Sequence, residues 1–149
     1  MGSMSNEELL SDWAAVREGL KQALELLADE QLRFTPREGL RTVGEIAYHI
    51  AGTEENWLRL LIYGKTPATW TPEVPANLTA AEVRAALSEA HDRTEAQLAS
   101  ADLRQEVTLP WGSRTTLRWA VWHVLEHEIH HRGEIYLMLG LLGIEAPDV

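Results

Sequence analysis

The residues best suited to chemistry lie in one short stretch, HEIHHRGEIY, which runs from His127 to Tyr136. It contains the pattern H-E-x-x-H, formed by His127, Glu128 and His131, which binds zinc in one large group of proteases. Histidines four residues apart lie on one face of a helix, with Cβ atoms about 5–6 Å apart, so both imidazoles can bind one divalent ion. The intervening His130 points about 100° away and is expected at the surface.

The zinc-protease hypothesis fails because the pattern lacks a third ligand. The longer protease motif requires glycine and histidine at two later positions, which hold Glu134 and Leu137 in this chain. The more distant glutamate that serves a second protease class is also missing after His131. No strand-rich half is predicted that could hold an extended peptide as an added strand. A third ligand must therefore come from upstream.

His49 is the upstream histidine that is best placed for this purpose. It lies among apolar residues in EIAYHIAGTEENW, so it is predicted to face the interior of a helical bundle. Together, His49, His127 and His131 would form a site of three nitrogens that leaves one coordination position for water, as in catalytic zinc sites. His91 lies beside Asp92 and is expected to be solvated rather than coordinating.

Three acidic or hydroxyl side chains next to these histidines are further candidates. Glu45 and Thr53 lie four residues to either side of His49, where they could hydrogen-bond the ring nitrogen that does not bind the metal. Glu128 adjoins a ligand and is a candidate general base, the alternative being a solvated surface residue.

Other candidates share the metal-facing side of the last predicted helix. His123 lies one turn before His127, and a fourth ligand would close the site, so we assign His123 to the pocket wall. Residues eight apart are also separated by about 12 Å along a helix, which makes joint coordination by His123 and His131 unfavourable. Trp119 lies on the same side and is assigned to the pocket. Arg132 is either a packing residue that pairs with a carboxylate or an anchor for the carboxylate of a thiol cofactor.

Helix start signals predict the elements that carry these residues. Ser or Thr precedes Glu by three positions at Ser5–Glu8, Thr42–Glu45 and Thr79–Glu82, which is the spacing of a capping box. Each of these opens a run of apolar residues with the period of an amphipathic helix. Four helices are predicted, from about Asn6 to Ala28, Val43 to Tyr63, Ala80 to Ala99 and Thr116 to Leu142.

The connections between helices bear on the topology. The connection from Lys65 to Leu78 has about 14 residues and could span about 45 Å, whereas the second helix is about 30 Å long. The third helix can therefore run parallel to the second, giving an all-α four-helix bundle with up-down-down-up order. Between the last two helices, EVTLPWGSRTTL has β-branched residues around a Pro-Trp-Gly turn and predicts a short extended segment.

The composition fits a single domain that spans residues 1–149. Because there is no cysteine, any metal must be bound by nitrogen and oxygen, and the cytoplasm is the expected location. The formal net charge of −10 argues against a nucleic-acid or anionic-membrane surface, and no apolar run is long enough for a membrane span. The first residues, MGSM at 1–4, read as a cloning remnant.

Three segments resemble the DinB/YfiT-like family: TVGEIAYHIAGTEENWL, the later TLPWGSRTTLRWAVWHVLEHEIHHRGEIYLMLGLLGI, and the ending EAPDV. The resemblance covers nearly the whole chain and is most specific in the pattern H-x-x-x-H-R-G. It implies an up-down-down-up four-helix bundle, often dimeric, with one divalent ion, nickel or zinc, bound by His49, His127 and His131. Nothing in the chain resembles the DNA polymerase that shares the family's name.

The resemblance implies more than one activity. Some relatives are thiol S-transferases that use a low-molecular-weight thiol in detoxification, and others are known only as stress-response proteins. We expect a metal-dependent thiol S-transferase with a small-molecule substrate, working as a homodimer. A non-catalytic metal-binding stress protein and a metal-dependent hydrolase with Glu128 or His123 as base are the alternatives.

Overall fold

Four α-helices make up most of the structure, a computed structural model that describes residues 5–67, 69 and 73–149. The predicted all-α four-helix bundle is confirmed, whereas residues 1–4, the suggested cloning remnant, lie outside the described residues. None of the described helices is long and apolar enough to cross a membrane. The elements are α1 (Asn6–Glu25), α2 (Val43–Tyr63), α3 (Ala80–Leu98), strands β1 (Glu106–Thr108) and β2 (Arg114–Thr116), and α4 (Leu117–Leu141).

The predicted capping boxes are present at the starts of α1, α2 and α3. At α2 the Thr42 hydroxyl accepts a hydrogen bond from the Glu45 backbone N–H at 3.2 Å, and the Glu45 carboxylate accepts one from the Thr42 N–H at 2.6 Å. α4 begins after Thr116, whose hydroxyl accepts from the Trp119 N–H at 3.3 Å. These bonds satisfy N–H groups that have no partner within the helix, and so fix where each helix begins.

The helix ends agree less closely with the sequence prediction. α1 ends at Glu25 rather than Ala28, because its last turn tightens at Leu26, whose N–H bonds to the carbonyl three residues back. A 3-10 turn then follows at Asp29–Arg33. α2 ends as predicted before Gly64, whose φ of 62° is a left-handed conformation that glycine adopts without steric penalty.

Side-chain contacts define the up-down-down-up order of the bundle. α2 and α3 run parallel, because Glu54 contacts Thr94 near the middle of α2 and Tyr63 contacts Gln97 near the C-terminal ends. α4 runs antiparallel to α2 and parallel to α1, and α1 is antiparallel to α3. The α2–α4 direction follows from the contacts His49–His127 and Trp57–His123. The α1–α4 direction follows from Trp13–Glu128 and Val16–Arg132. The α1–α3 direction follows from Asn6–Leu98 and Arg17–Leu87.

A two-stranded antiparallel hairpin precedes α4, where the sequence predicts a short extended segment. β1 and β2 pair with Val107 opposite Thr115. The Leu117 N–H, at the first residue of α4, donates to the Gln105 carbonyl just before β1 at 2.8 Å. The hairpin therefore anchors the N-terminal end of the helix that carries two of the candidate ligands.

A layer of buried polar side chains divides the core into two hydrophobic clusters. The first cluster draws on the C-terminal halves of α1 and α4 and the N-terminal halves of α2 and α3. The second draws on the opposite halves and on the hairpin. In each helix, the polar layer lies between the two clusters in sequence. The layer consists of Arg17, Glu54, His91, Thr94 and Glu128, all of which are buried.

Candidate metal centre

The three candidate ligands converge between α2 and α4. His49 lies in the first half of α2, and His127 and His131 lie one turn apart on the antiparallel α4. The Nε2 atoms of His49 and His127 are 3.0 Å apart. The ring centroid of His131 is 5.0 Å from that of His49 and 4.4 Å from that of His127. One nitrogen from each ring lies within 4.8 Å of the others, so the fold brings His49 together with the two histidines of α4.

Two neighbouring side chains orient the rings. His131 Nδ1 lies 2.6 Å from Glu134 Oε2, and because a carboxylate only accepts, Nδ1 donates and Nε2 keeps the lone pair that binds a metal. His49 Nδ1 lies 3.4 Å from the Thr53 hydroxyl, the contact that their spacing predicts. Glu134 is not among the site residues predicted from the sequence. Its position one turn after His131 on the same helix is the signal that identifies it.

Burial keeps His49 and His127 uncharged near neutral pH. It lowers the pKa of His49 to about 4, with a further contribution from the positive charge of Arg41. It also lowers the pKa of His127 to about 3, together with the neighbouring imidazoles of His131 and His49. A neutral imidazole is the form that binds a metal ion.

The donor set fits one divalent transition-metal ion. Two nitrogens bound at about 2.0–2.1 Å are about 2.9 Å apart when they subtend a right angle and about 3.3 Å apart in a tetrahedron. The separation of 3.0 Å between His49 and His127 therefore needs little adjustment. Imidazole ligands suit zinc and nickel better than magnesium or calcium. Three ligands rather than four are typical of catalytic sites, which keep one position for water or substrate.

A second group, formed by His130, His131 and Glu134, also has the spacing of a metal site. It would use the side of His131 that already contacts Glu134. The side chains of His130 and Glu134 are 67% and 41% exposed, so water competes for both. We therefore assign Glu134 to the orientation of His131, and His130 lies at the surface as its helical position predicts.

Aromatic side chains extend beyond the three histidines toward the N-terminal end of α4. Trp119 stacks on His123, with ring centroids 5.2 Å apart and planes inclined by 6°. Trp57 contacts His123 edge-on at 5.5 Å, and Trp111 contacts Trp57 at 6.1 Å. His123 lies outside the group of converging nitrogens, and Trp119 is half-exposed. Trp119 also lines a cavity with Leu9 and Trp122. The assignment of His123 and Trp119 to a pocket wall beside the metal stays a prediction.

Glu45 does not orient His49, contrary to the sequence prediction. Its carboxylate accepts the hydrogen bond from the Thr42 N–H that closes the capping box of α2. Although a spacing of four residues is compatible with contact to His49, the start of the helix offers a backbone N–H without a helical partner. Of the two flanking candidates, Thr53 contacts the ring.

Glu128 is buried in the polar layer, so neither the general-base hypothesis nor the solvated alternative agrees with its position. It is 1% exposed. Its Oε1 accepts from Arg17 Nε, and its Oε2 accepts from Arg17 Nη2 and Trp13 Nε1, each at 2.7 Å. A general base must reach the proton that it removes. The neighbouring His127 points in another direction, because consecutive helical residues diverge by about 100°.

His91 is also buried, whereas its polar neighbour Asp92 led us to expect solvation. Its Nδ1 donates to Glu54 Oε1 at 3.0 Å, and the same oxygen accepts from the Thr94 hydroxyl at 2.5 Å. Burial alone would raise the pKa of Glu54, but the His91 hydrogen bond and the charge of Arg17 hold it below its ordinary value. The partner of His91 is 37 residues away on another helix, so local spacing does not reveal it.

Arg132 packs against α1, and it pairs with no carboxylate in the part of the chain that the structure describes. Its Nη1 lies 3.3 Å from the Val16 carbonyl, and its guanidinium lies 5.5 Å from the centre of the Tyr136 ring. Gly19 on α1 makes room for both side chains, since a Cβ there would lie 2.8 Å from the Tyr136 hydroxyl. The packing role considered in the sequence analysis agrees with these contacts, and the suggested pairing with a carboxylate is wrong.

Residues 12–135 match the sequence profile of the DinB superfamily. The match includes all three candidate ligands and covers well over half of the chain. No curated protein sequence gives a significant match.

Solved structures with the same fold include YfiT from Bacillus subtilis, which is named a probable metal-dependent hydrolase with an unusual four-helix bundle topology. Its TM-score is 0.79 at 22% identity, over 97% of this chain and 91% of that chain. A DinB-like protein from Bacillus subtilis has a TM-score of 0.76 at 19% identity, over 95% and 96% of the two chains. A DinB-like protein from Bacillus cereus has a TM-score of 0.74 at 21% identity, over 96% of each chain. Likeness at these identities establishes the fold.

Proposed function

Because the chain belongs to the DinB superfamily, we propose that it is a metal-dependent thiol S-transferase. In this proposal His49, His127 and His131 bind one nickel or zinc ion per chain, while Glu134 and Thr53 orient two of the rings. The observation that carries the proposal is the convergence of three imidazoles from two helices, with two Nε2 atoms 3.0 Å apart.

The reaction proposed for this site is the transfer of a thiol to an electrophilic carbon. A divalent ion with three neutral ligands keeps its full charge and would lower the pKa of a thiol or a water at the remaining position. The thiolate sulfur forms a bond to the carbon while the leaving group departs with the bonding electrons. The thiol proton passes to solvent. His49, His127 and His131 would hold the ion in place during this step.

The surroundings of the ligands favour thiol transfer over hydrolysis. Hydrolysis of an ester or amide ordinarily uses a side-chain base close to the attacking water. Of the acidic residues next to the ligands on α4, Glu128 is engaged by Arg17 and Trp13, and Glu134 by His131. Glu126 is largely exposed and lies 3.6 Å from His123. A thiol is acidic enough to ionise at a metal without such a base, so thiol transfer requires less of these side chains.

We propose a small-molecule substrate that binds beside the three histidines, along the aromatic side chains of α2 and α4. The aromatic wall of His123, Trp119 and Trp57 begins one turn from His127 and is partly exposed. An apolar wall beside a few polar groups is typical of small-molecule sites. The net charge of −10 disfavours a polyanionic partner such as a nucleic acid.

Turnover of an electrophile with a panel of low-molecular-weight thiols tests this function. We expect the metal-loaded protein to form product only when a thiol is present, and His127→Ala to abolish the reaction. His130→Ala is the matched control, because it removes an exposed histidine from the same helix and leaves the three ligands intact. Turnover that survives in His127→Ala would show that the reaction does not take place at this site.

A metal-dependent hydrolase is the second candidate, and the name of the similar YfiT structure supports it. It predicts turnover of activated esters or amides without any thiol, with His123 as the remaining candidate base. If a protein with one bound metal equivalent shows neither activity, the third candidate is favoured, a non-catalytic stress-response protein whose ion ties α2 to α4.

We also propose that two copies of the chain associate through the exposed face of α4. Isolated apolar residues are common at surfaces, but a row of them along one helix is typical of an interface. Glycines on the same face would let a second helix approach closely, since a Cβ added at either has no neighbour within 4 Å. The apolar residues are Trp122, Ile129, Leu137 and Leu141, and the glycines are Gly133 and Gly140.

A further inference from the structure

The buried polar layer lies directly behind the three histidines. On α2, Glu54 follows Thr53, which contacts His49. On α4, Glu128 follows His127. Because consecutive residues of a helix point about 100° apart, each helix turns one side chain toward the histidines and the next toward the polar layer. The segments of α2 and α4 that carry the candidate ligands therefore face the histidine group on one side and the buried polar layer on the other.

Arg17 on α1 is the residue that joins these two segments. Its Nη2 donates to Glu54 Oε2 at 2.5 Å and to Glu128 Oε2 at 2.7 Å. Its Nε donates to Glu128 Oε1, and its Nη1 donates to the Leu87 carbonyl of α3, both at 2.7 Å. A guanidinium is planar and its N–H groups have fixed directions. One side chain therefore fixes α2, α3 and α4 relative to one another.

The partners of Arg17 have little freedom to shift. Both carboxylates are 1% exposed, so water cannot replace a lost hydrogen bond. Three further donors occupy the same carboxylates, and a slip of α4 along α2 would disturb several of these bonds together. The donors are Trp13 to Glu128, and His91 and Thr94 to Glu54.

Metal coordination requires the alignment that this network provides. Ligand distances in a metal site are held to within about 0.2 Å, whereas a slip of one residue moves a helix by about 1.5 Å. Hydrophobic cores tolerate changes in packing more readily, so apolar contacts alone define the register of two helices less sharply. The contacts of the polar layer are hydrogen bonds, which have preferred directions, and this layer adjoins the ligands.

We propose that Arg17 is a positioning residue for the metal site. By holding Glu54 and Glu128, it sets the register of α2 and α4 at which the three histidines meet. This inference rests on the proposed metal function. Because coupling between two sites is reciprocal, a bound ion must in turn stabilise the hydrogen bonds of Arg17.

Titration with cobalt(II) of the wild-type and Arg17→Lys proteins tests this role, because the absorption bands of the bound ion report the geometry of its ligands. Lysine keeps the positive charge but lacks the planar set of donors. We expect a Kd about tenfold higher or more and altered band intensities in Arg17→Lys. Leu103→Ala is the control, a buried residue outside the polar layer, which should lower the unfolding free energy without changing the Kd.

A second measurement uses the wild-type chain and so does not depend on the folding of Arg17→Lys. By NMR, the Arg17 Nε–H should exchange with water at least about fivefold more slowly after one equivalent of zinc is added. His127→Ala should show no such change. An unchanged Kd in folded Arg17→Lys, or unchanged exchange in the wild type, would overturn the positioning role. Failure of the wild-type protein to bind cobalt or zinc would instead refute the proposed metal function.

Discussion

Replacing Glu134 by alanine should weaken zinc binding by about 10- to 30-fold, the lower part of the range of about 10- to 100-fold that is usual when a metal-binding histidine loses its hydrogen-bond partner. The Glu134 carboxylate lies 2.6 Å from Nδ1 of His131 and holds the opposite nitrogen toward the other two rings. Because the Glu134 side chain is 41% exposed, alanine leaves no buried cavity, and we expect the helix content to stay unchanged.

The magnitude follows from the kind of hydrogen bond that is lost. A hydrogen bond to a charged group contributes about 1.5–3 kcal/mol, and partial exposure of Glu134 places its contribution at the lower end, about 1.5–2 kcal/mol. At about 1.4 kcal/mol for each factor of ten, this corresponds to a Kd about 10- to 30-fold higher. Glu134→Gln keeps an oxygen that accepts from Nδ1–H and loses only the charge, so its effect should be about three- to fivefold.

Competition with a chromophoric zinc chelator measures these Kd values. Glu126→Gln is the control, since Glu126 is another exposed carboxylate on α4, 3.6 Å from His123 and outside the group of three histidines. Its loss should change the Kd by less than about twofold, because solvent and salt screen exposed charges. A Kd for Glu134→Ala within about twofold of the wild-type value would refute the orienting role. Equal effects of Glu134→Ala and Glu126→Gln would show that net charge is the cause.

Three further predictions concern stability and assembly. The lowered pKa of Glu54 gives a stabilisation that is present above its ordinary value of 4.5 and is lost as pH falls through the folded value. The free energy of unfolding of the metal-free protein, measured with urea, should therefore decrease below about pH 4.5. The decrease should be steeper than in Glu54→Gln. Leu137→Glu should give a single species of 16.7 kDa by sedimentation equilibrium, because it places a charge in the proposed interface. A wild-type protein that also has this mass at micromolar concentration would refute the homodimer. In the Leu137→Glu background, Gly133→Ala should raise the melting temperature, because alanine favours a helix and no atom lies within 4 Å of the added Cβ. Gly19→Ala should raise it less or not at all, because its Cβ would lie 2.8 Å from the Tyr136 hydroxyl, which must shift. Equal melting temperatures would contradict this account of Gly19.

Local signals in the sequence predict the helices that carry the candidate ligands and the face on which two of the ligands lie. Thr42 and Glu45 define where α2 begins, and this start places His49 within the helix rather than at its end. The spacing of four between His127 and His131 places both imidazoles on one face. These signals depend only on residues within about one turn of each other, which is why they hold before the rest of the fold is known.

The polar layer could not be predicted in the same way, because its contacts join residues that are far apart in sequence. Glu128 lies inside an H-E-x-x-H pattern, and its partner Arg17 is 111 residues away. One sequence signal was available. Arg17 lies at helical spacing between Trp13 and Leu20, in the middle of an apolar face, and a charge in that position requires a buried partner. The identity of that partner depends on how four helices pack.

The distance in sequence between Arg17 and Glu128 has a consequence for synthesis on the ribosome. α1 emerges before α4. The guanidinium of Arg17 has no access to Glu128, 111 residues later in the chain, until α4 has left the exit tunnel. Two of the three candidate ligands, His127 and His131, also belong to α4. The nascent chain therefore lacks both a closed polar layer and a complete histidine group until α4 has emerged. If the proposed metal function holds, one ion can contact all three histidines only after α4 has docked against α2.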